Sequence, residues 1–219
     1  MTDSRARVPA RARDTQPLVP SPRIRRLRRS DLPVDTRALA RFLIGKTLVR
    51  EAHEGRMAGR IVETEAYVIG DAAGHAFRGR TQRNDVLFWE RGHAYVYFIY
   101  GVHYMLNVSS ETPGIGAGVL LRAVEPLEGI ELMQRNRSTT VLRDLARGPG
   151  RLAYAMRIDP SVNGVDMCKA GPLWLGTETR SVGRIGKSVR IGITLEAHRV
   201  LRFYERDNRF VSGSRTLNV

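Results

Sequence analysis

The run Ala94-Tyr-Val-Tyr-Phe-Ile-Tyr-Gly-Val-His-Tyr-Met-Leu-Asn-Val108 constrains the fold more than any other part of the chain. Its β-branched and aromatic residues favour extended backbone, and the break at Gly101 suits a tight turn. A β-hairpin is therefore expected. Further strands are expected at Thr47 to Glu51, Arg60 to Tyr67 after a turn punctuated by Gly55 and Gly59, and Gly118 to Val124. The last third adds Leu173 to Leu175, Ser188 to Ile193 and Leu201 to Tyr204. Helical spacing places Leu39, Phe42 and Leu43 on one face of a helix that follows Asp35 and stops at Gly45, and it recurs over Pro126 to Met133 and Gly148 to Met156. Turns separate the strands more often than crossover helices do. The expected fold class is α+β: a single mixed domain with a curved, mostly antiparallel sheet, flanking helices and a protruding β-hairpin.

With 42% hydrophobic residues over 219 positions, the chain holds enough apolar material for one core, and its length fits one domain. The single cysteine, Cys168, excludes a disulfide framework and thiolate zinc modules, and points to a reducing, intracellular compartment. No window approaches the roughly 18 apolar residues of a spanning helix, so no membrane partner is expected. The net charge of +14 points to a polyanion. Among the basic residues only Lys46, Lys169 and Lys187 are lysines, an arginine skew that genome base composition explains as well as phosphate binding does. Few amines are thus available for Schiff-base chemistry.

The charge is unevenly placed. Residues 1–30 carry nine Arg against Asp3 and Asp14, with Pro9, Pro17, Pro20 and Pro22 among them and little apolar periodicity. They read as a disordered basic arm ahead of a domain spanning 31–219, a solvated tail that adds nonspecific nucleic-acid affinity; a targeting signal is the alternative.

In Ile61-Val-Glu-Thr-Glu-Ala-Tyr67, strand alternation puts Glu63, Glu65 and Tyr67 on one face and Val62, Thr64 and Ala66 on the other. In a cleft, one such carboxylate can activate a water while its neighbour tunes it, as the paired acids of glycoside hydrolysis do. Spacing alone does not separate this from a solvent-facing strand with ordinary acids. Tyr95 and Tyr104 read as core tyrosines. Tyr100, beside the hairpin turn, reads as a wedge of the kind inserted between base steps from the minor groove. His75, His93 and His103 lack metal-ligand spacing, so no metal site is expected. Arg122 sits in the apolar strand Val119-Leu-Leu-Arg-Ala-Val124 and needs an anionic partner, for which the carboxylates near Glu65 are candidates.

Taken in order, these segments resemble the alkyladenine (3-methyladenine) DNA glycosylase family. The resemblance rests on Arg60-Ile-Val-Glu-Thr-Glu-Ala-Tyr67, His75, Gln82-Arg-Asn84, Tyr95-Val-Tyr-Phe-Ile-Tyr-Gly101, Asn107-Val-Ser-Ser110 and Leu120-Leu-Arg-Ala-Val-Glu-Pro-Leu-Glu-Gly129. It continues through Gly148-Pro-Gly-Arg-Leu152, Arg190-Ile-Gly-Ile193 and Leu201-Arg-Phe-Tyr204, and covers essentially all of the chain after the basic arm.

The resemblance implies a monofunctional DNA glycosylase of base excision repair that flips an alkylated purine out of the duplex and hydrolyses its N-glycosidic bond. No lyase activity and no cofactor are implied. Glu65 would be the general base for the attacking water, held with it by Arg122 and the main-chain carbonyl of Ile191. Tyr67, His75 and Tyr97 would sandwich the base, with His75 also bonding its edge, and Asn107 would obstruct the 2-amino group of guanine. Tyr100 would fill the vacated space in the minor groove. The implied partner is double-stranded DNA containing damaged purines, and a monomer is expected. The expected location is the bacterial cytoplasm at the nucleoid, or the mitochondrion or nucleus of a eukaryote. The sequence departs from the family pattern at Gly74 and Ala76-Phe77 around His75, which bears on the range of lesions accepted. Two other classes compete: a noncatalytic binder of damaged DNA, and a glycosidase acting on sugars or free nucleosides.

Overall fold

A computed structural model describes residues 24–99, 101 and 103–218. Among them an eight-stranded antiparallel sheet is flanked by three α-helices, the single α+β domain expected. The strands are β1 (Thr47–Ala52), β2 (Gly55–Tyr67), β3 (Ala94–Ile99), β4 (His103–Ser109), β5 (Gly118–Glu128), β6 (Leu173–Gly176), β7 (Ile185–Ser188) and β8 (Arg202–Glu205). Their main order is β3-β4-β5-β2-β1-β6, with β8 pairing both β2 and β7. Strand β2 is the hub. Its first half pairs with β1, its second half pairs with the short β8, and β5 runs along it antiparallel through both.

The helices are α1 (Thr36–Leu43), α2 (Ile130–Arg137) and α3 (Pro149–Ala155). The Asp35 carboxylate caps α1 by accepting the Ala38 N–H at 2.8 Å, and Leu39, Ala40 and Leu43 bury its inner face. The α1 side chains join Ile61, Ala66, Val119, Leu121, Leu152 and Met156 in the main core. Thr64 of β2 points at the same helix and donates its hydroxyl to the Ala40 carbonyl at 2.9 Å. The hairpin forms as expected, β3 and β4 pairing from Ala94↔Val108 to Ile99↔His103, with Gly101 at φ +66° in the turn.

Four sequence expectations need correction. Strand β2 begins at Gly55, so Gly59 lies inside it; a Cβ there would meet Val124 Cγ2 at 2.6 Å, and the glycine serves close strand approach, not a turn. Pro126 to Glu128 continue β5, and α2 starts only after Gly129, whose φ of +69° ends the strand. Pro126 is tolerated because the β2–β5 ladder is already irregular there. Ser188 to Ile193 is not a strand: β7 ends at Ser188, and 189–193 is a loop. Finally, residues 1–23 of the expected arm lie outside the described residues, whereas 24–30 pack on the domain. There Leu27 is buried and its N–H bonds the Leu175 carbonyl at 2.9 Å.

Candidate active site

Strands β2 and β5 pair with an irregularity at the site. Ile61 pairs with Val124 and Glu63 with Ala123, leaving Val62 without a partner; Thr64 then pairs with Leu121, leaving Arg122 without one. Paired irregularities of this kind re-aim side chains. They correct the simple alternation: Val62 leaves the face of Thr64 and Ala66 and packs with Ala123, Tyr204, Phe210 and Val211. They also bring the Arg122 guanidinium between the two glutamates. Its Nε donates to Glu63 Oε1 at 2.8 Å, and its Nη1 lies 3.1 Å from Glu65 Oε1.

The two carboxylates occupy opposite electrostatic states. Burial opposes ionisation of Glu63, but Arg122, Arg202 and the hydrogen bonds it accepts together hold its carboxyl below the ordinary range. Glu65 is pushed up. Burial is the main cause and the Glu63 charge adds to it, outweighing Arg122, the Ile191 N–H and the Tyr67 hydroxyl, which all favour the anion. A buried carboxylate poised above its usual range suits a general base.

Glu65 is fully buried, and the groups bonded to it form the floor of a cavity. Ile191 N–H donates to Glu65 Oε1 at 2.8 Å, and Tyr67 Oη donates to Oε2 at 3.1 Å. Arg122, Ile191 and Tyr67 all line a cavity of about 480 Å³, within the range of small-molecule sites. His75, Tyr97 and Asn107 line it as well. Six of the eight residues singled out in the sequence thus surround one pocket, and Glu65 lies directly beneath it. Tyr100 lies outside the described residues. Ile191 contacts Glu65 through its N–H; the carbonyl of Ile191 is the group that the resemblance assigns to the water.

The walls are aromatic. The His75 and Tyr97 ring centroids are 4.3 Å apart, and Tyr97 stacks on Tyr95 at 5.4 Å. Burial, reinforced by Arg83, lowers the His75 pKa, favouring the neutral ring. Its Nδ1 shares a hydrogen bond with Tyr95 Oη at 2.9 Å, and burial raises the Tyr95 phenol to about 12. Tyr95 therefore does more than the core role expected of it. Only its period-two spacing from Tyr97 hinted at this. Burial and the Glu65 charge likewise raise the Tyr67 phenol, keeping it a donor. The Arg190 guanidinium lies 4.6 Å from the Tyr67 ring centroid and pairs with Asp71, bracing that wall. Phe77 and Ile115, both substantially exposed, sit at the rim.

Among the described residues no His, Cys, Asp and Glu cluster could hold a metal ion, and no helix is long and apolar enough to cross a membrane.

Comparison with known proteins identifies the family. A family model described as "Methylpurine-DNA glycosylase (MPG)" matches residues 30–209. A protein of Mesorhizobium japonicum provisionally named 3-methyladenine DNA glycosylase is 67% identical over 189 residues, covering 86% of this chain and 91% of the relative. Similarly named proteins of Paraburkholderia phytofirmans and Methanoculleus marisnigri are 53% and 44% identical, covering 88% and 81% of this chain and 91% and 94% of their own. The chain belongs to the methylpurine-DNA glycosylase family.

Proposed function

We propose that this DNA glycosylase excises alkylated purines of the 3-methyladenine type from duplex DNA, with the base extruded into the cavity and a water activated by Glu65. The reading is carried by one observation: Glu65 is buried immediately below the pocket, and its partners Arg122, Ile191 and Tyr67 are pocket walls.

A base inside a duplex cannot present its glycosidic bond, so it must leave the stack at a cost of a few kcal/mol, which is smaller for damaged bases. A purine alkylated at N3 or N7 is cationic. Stacking on Tyr67 and Tyr97 then gains a cation–π attraction of up to about 2 kcal/mol when desolvated. The water oxygen bonds C1′ as the C1′–N bond breaks, Glu65 takes the water proton, and the purine leaves neutral with the bonding electron pair. Arg122 and the Ile191 N–H hold the Glu65 carboxylate on the line of attack. His75, kept neutral, keeps one ring nitrogen to bond the base edge while Nδ1 is engaged by Tyr95. Asn107 narrows the pocket against the 2-amino group of guanine, and Tyr100 fills the gap left in the duplex.

None of the three lysines lines the pocket, and Lys46 and Lys169 pair with Glu178 and Asp166, which supports hydrolysis without strand cleavage. The protein acts as a monomer on the DNA of its own cell. Chromatography of alkylated duplex DNA after incubation is expected to show free alkylpurine and abasic sites in an intact strand. Tight binding with no base released would make the protein a noncatalytic damage binder.

A further inference from the structure

The family match ends at residue 209, yet the chain beyond it reaches the charged cluster behind Glu65. Ser212 donates its N–H to Glu63 Oε2 at 2.6 Å and its hydroxyl to Oε1 at 2.9 Å, while that hydroxyl accepts from Arg122 Nη2 at 3.3 Å. Each nitrogen of the Arg122 guanidinium therefore has its own partner: Glu63 at Nε, Glu65 at Nη1 and Ser212 at Nη2. The planar fork cannot turn without breaking a contact. Glu63 is equally fixed, because Arg202 Nε adds a bond to Oε1 at 2.7 Å.

The segment that delivers Ser212 is itself held down. Arg202 Nη2 donates to the Ser212 carbonyl at 3.1 Å and to Asn218 Oδ1 at 2.7 Å, and its Nη1 donates to the Leu217 carbonyl at 3.1 Å. Asn218 Nδ2 returns to the Ser212 carbonyl at 3.1 Å. Arg147 Nε bonds the Val211 carbonyl at 2.8 Å, and Phe210 and Val211 pack on Val62 and Tyr204.

We infer that residues 210–218 form a clamp for the excision reaction, in which Ser212 is a positioning residue that locks Glu63 and Arg122 together and so holds Arg122 against Glu65. The inference rests on the reading of Glu65 as the general base. A support of this kind limits how far the reacting groups stray from productive geometry.

Single-turnover excision and lesion-DNA affinity, measured on the full chain, separate the clamp from simple packing. Ser212→Ala removes both hydroxyl bonds, to Glu63 and from Arg122, and should slow excision at least about tenfold, the scale of a hydrogen bond to a charged group, with the dissociation constant for alkylated duplex unchanged. Ser212→Thr keeps the hydroxyl and should restore the rate. A wild-type rate in Ser212→Ala, an equal fall in both variants, or a fall matched by lost affinity would overturn the clamp. Glu65→Gln run alongside keeps the two readings apart. If it is inactive while Ser212→Ala is normal, the clamp alone fails; if it excises normally, the general-base reading fails and the clamp with it.

Discussion

Glu63 and Glu65, two residues apart on β2, share the Arg122 guanidinium yet are driven in opposite directions, Glu63 below the ordinary carboxylate range and Glu65 above it. The difference lies in their partners. Glu63 is saturated by two arginines and by the N–H and hydroxyl of Ser212, so its anion is part of the fold. Glu65 has one charged partner at the edge of a cavity, and its anion is available for chemistry.

The pair should therefore respond oppositely to neutralisation. The folded state lowers the Glu63 pKa, so Glu63 contributes stability that is present above its unfolded value and lost as pH falls through its folded one. Glu63→Gln should cost about 3–5 kcal/mol at pH 7, as breaking a buried ion pair does. The folded state raises the Glu65 pKa, so stability declines as pH rises from its unfolded to its folded value; Glu65→Gln should unfold at or above the wild-type midpoint at pH 7. Denaturant unfolding of both variants measures the contrast.

Excision should also carry an acid limb set by Glu65, whose protonated form cannot accept the water proton. Burial and Glu63 place that limb above the ordinary carboxylate range. The charged and titratable groups around Glu65 are Arg122, Glu63 and Tyr67. In a variant with Glu63→Gln the like charge is gone, so the limb in single-turnover pH profiles should move to lower pH.

Tyr95→Phe removes the hydroxyl that engages His75 Nδ1 and leaves the ring stacked on Tyr97. Freed from that bond, His75 can rotate or change tautomer. Excision of lesions recognised through the base edge should fall about tenfold, the scale of one lost hydrogen bond to a buried group, with the fold retained.

Asn107 lines the pocket, its amide held by the Tyr95 carbonyl at 3.5 Å. Asn107→Ala should open space for a 2-amino group. Release of free guanine from undamaged duplex should rise above the wild-type background, and an unchanged background would remove Asn107 from the discrimination.

Legibility followed the range of the interactions. The hairpin and α1 could be read because their signals are local: a β-branched and aromatic run around Gly101, and an Asp35 cap before a 3.6-residue pattern. The facing of Glu63, Glu65 and Tyr67, and the pairing of Arg122 with the acids, followed from strand geometry and from the need of a buried charge for a partner. The bulges that re-aim Val62 and Arg122 were hidden, since a register shift depends on both strands. Tyr95 could not be told from a core tyrosine, because only the tertiary fold brings His75, 20 residues earlier in the chain, to its hydroxyl. Ser212 carries no motif, and its role arises from contacts with Glu63 and Arg122, 149 and 90 residues distant in sequence.

The most direct measurement is base release by Glu65→Gln. With alkylated duplex DNA in single turnover, the variant should bind lesion-containing DNA as the wild type does and release no free alkylpurine. Release at the wild-type rate would show that the water is activated elsewhere and would contradict the central role given to Glu65.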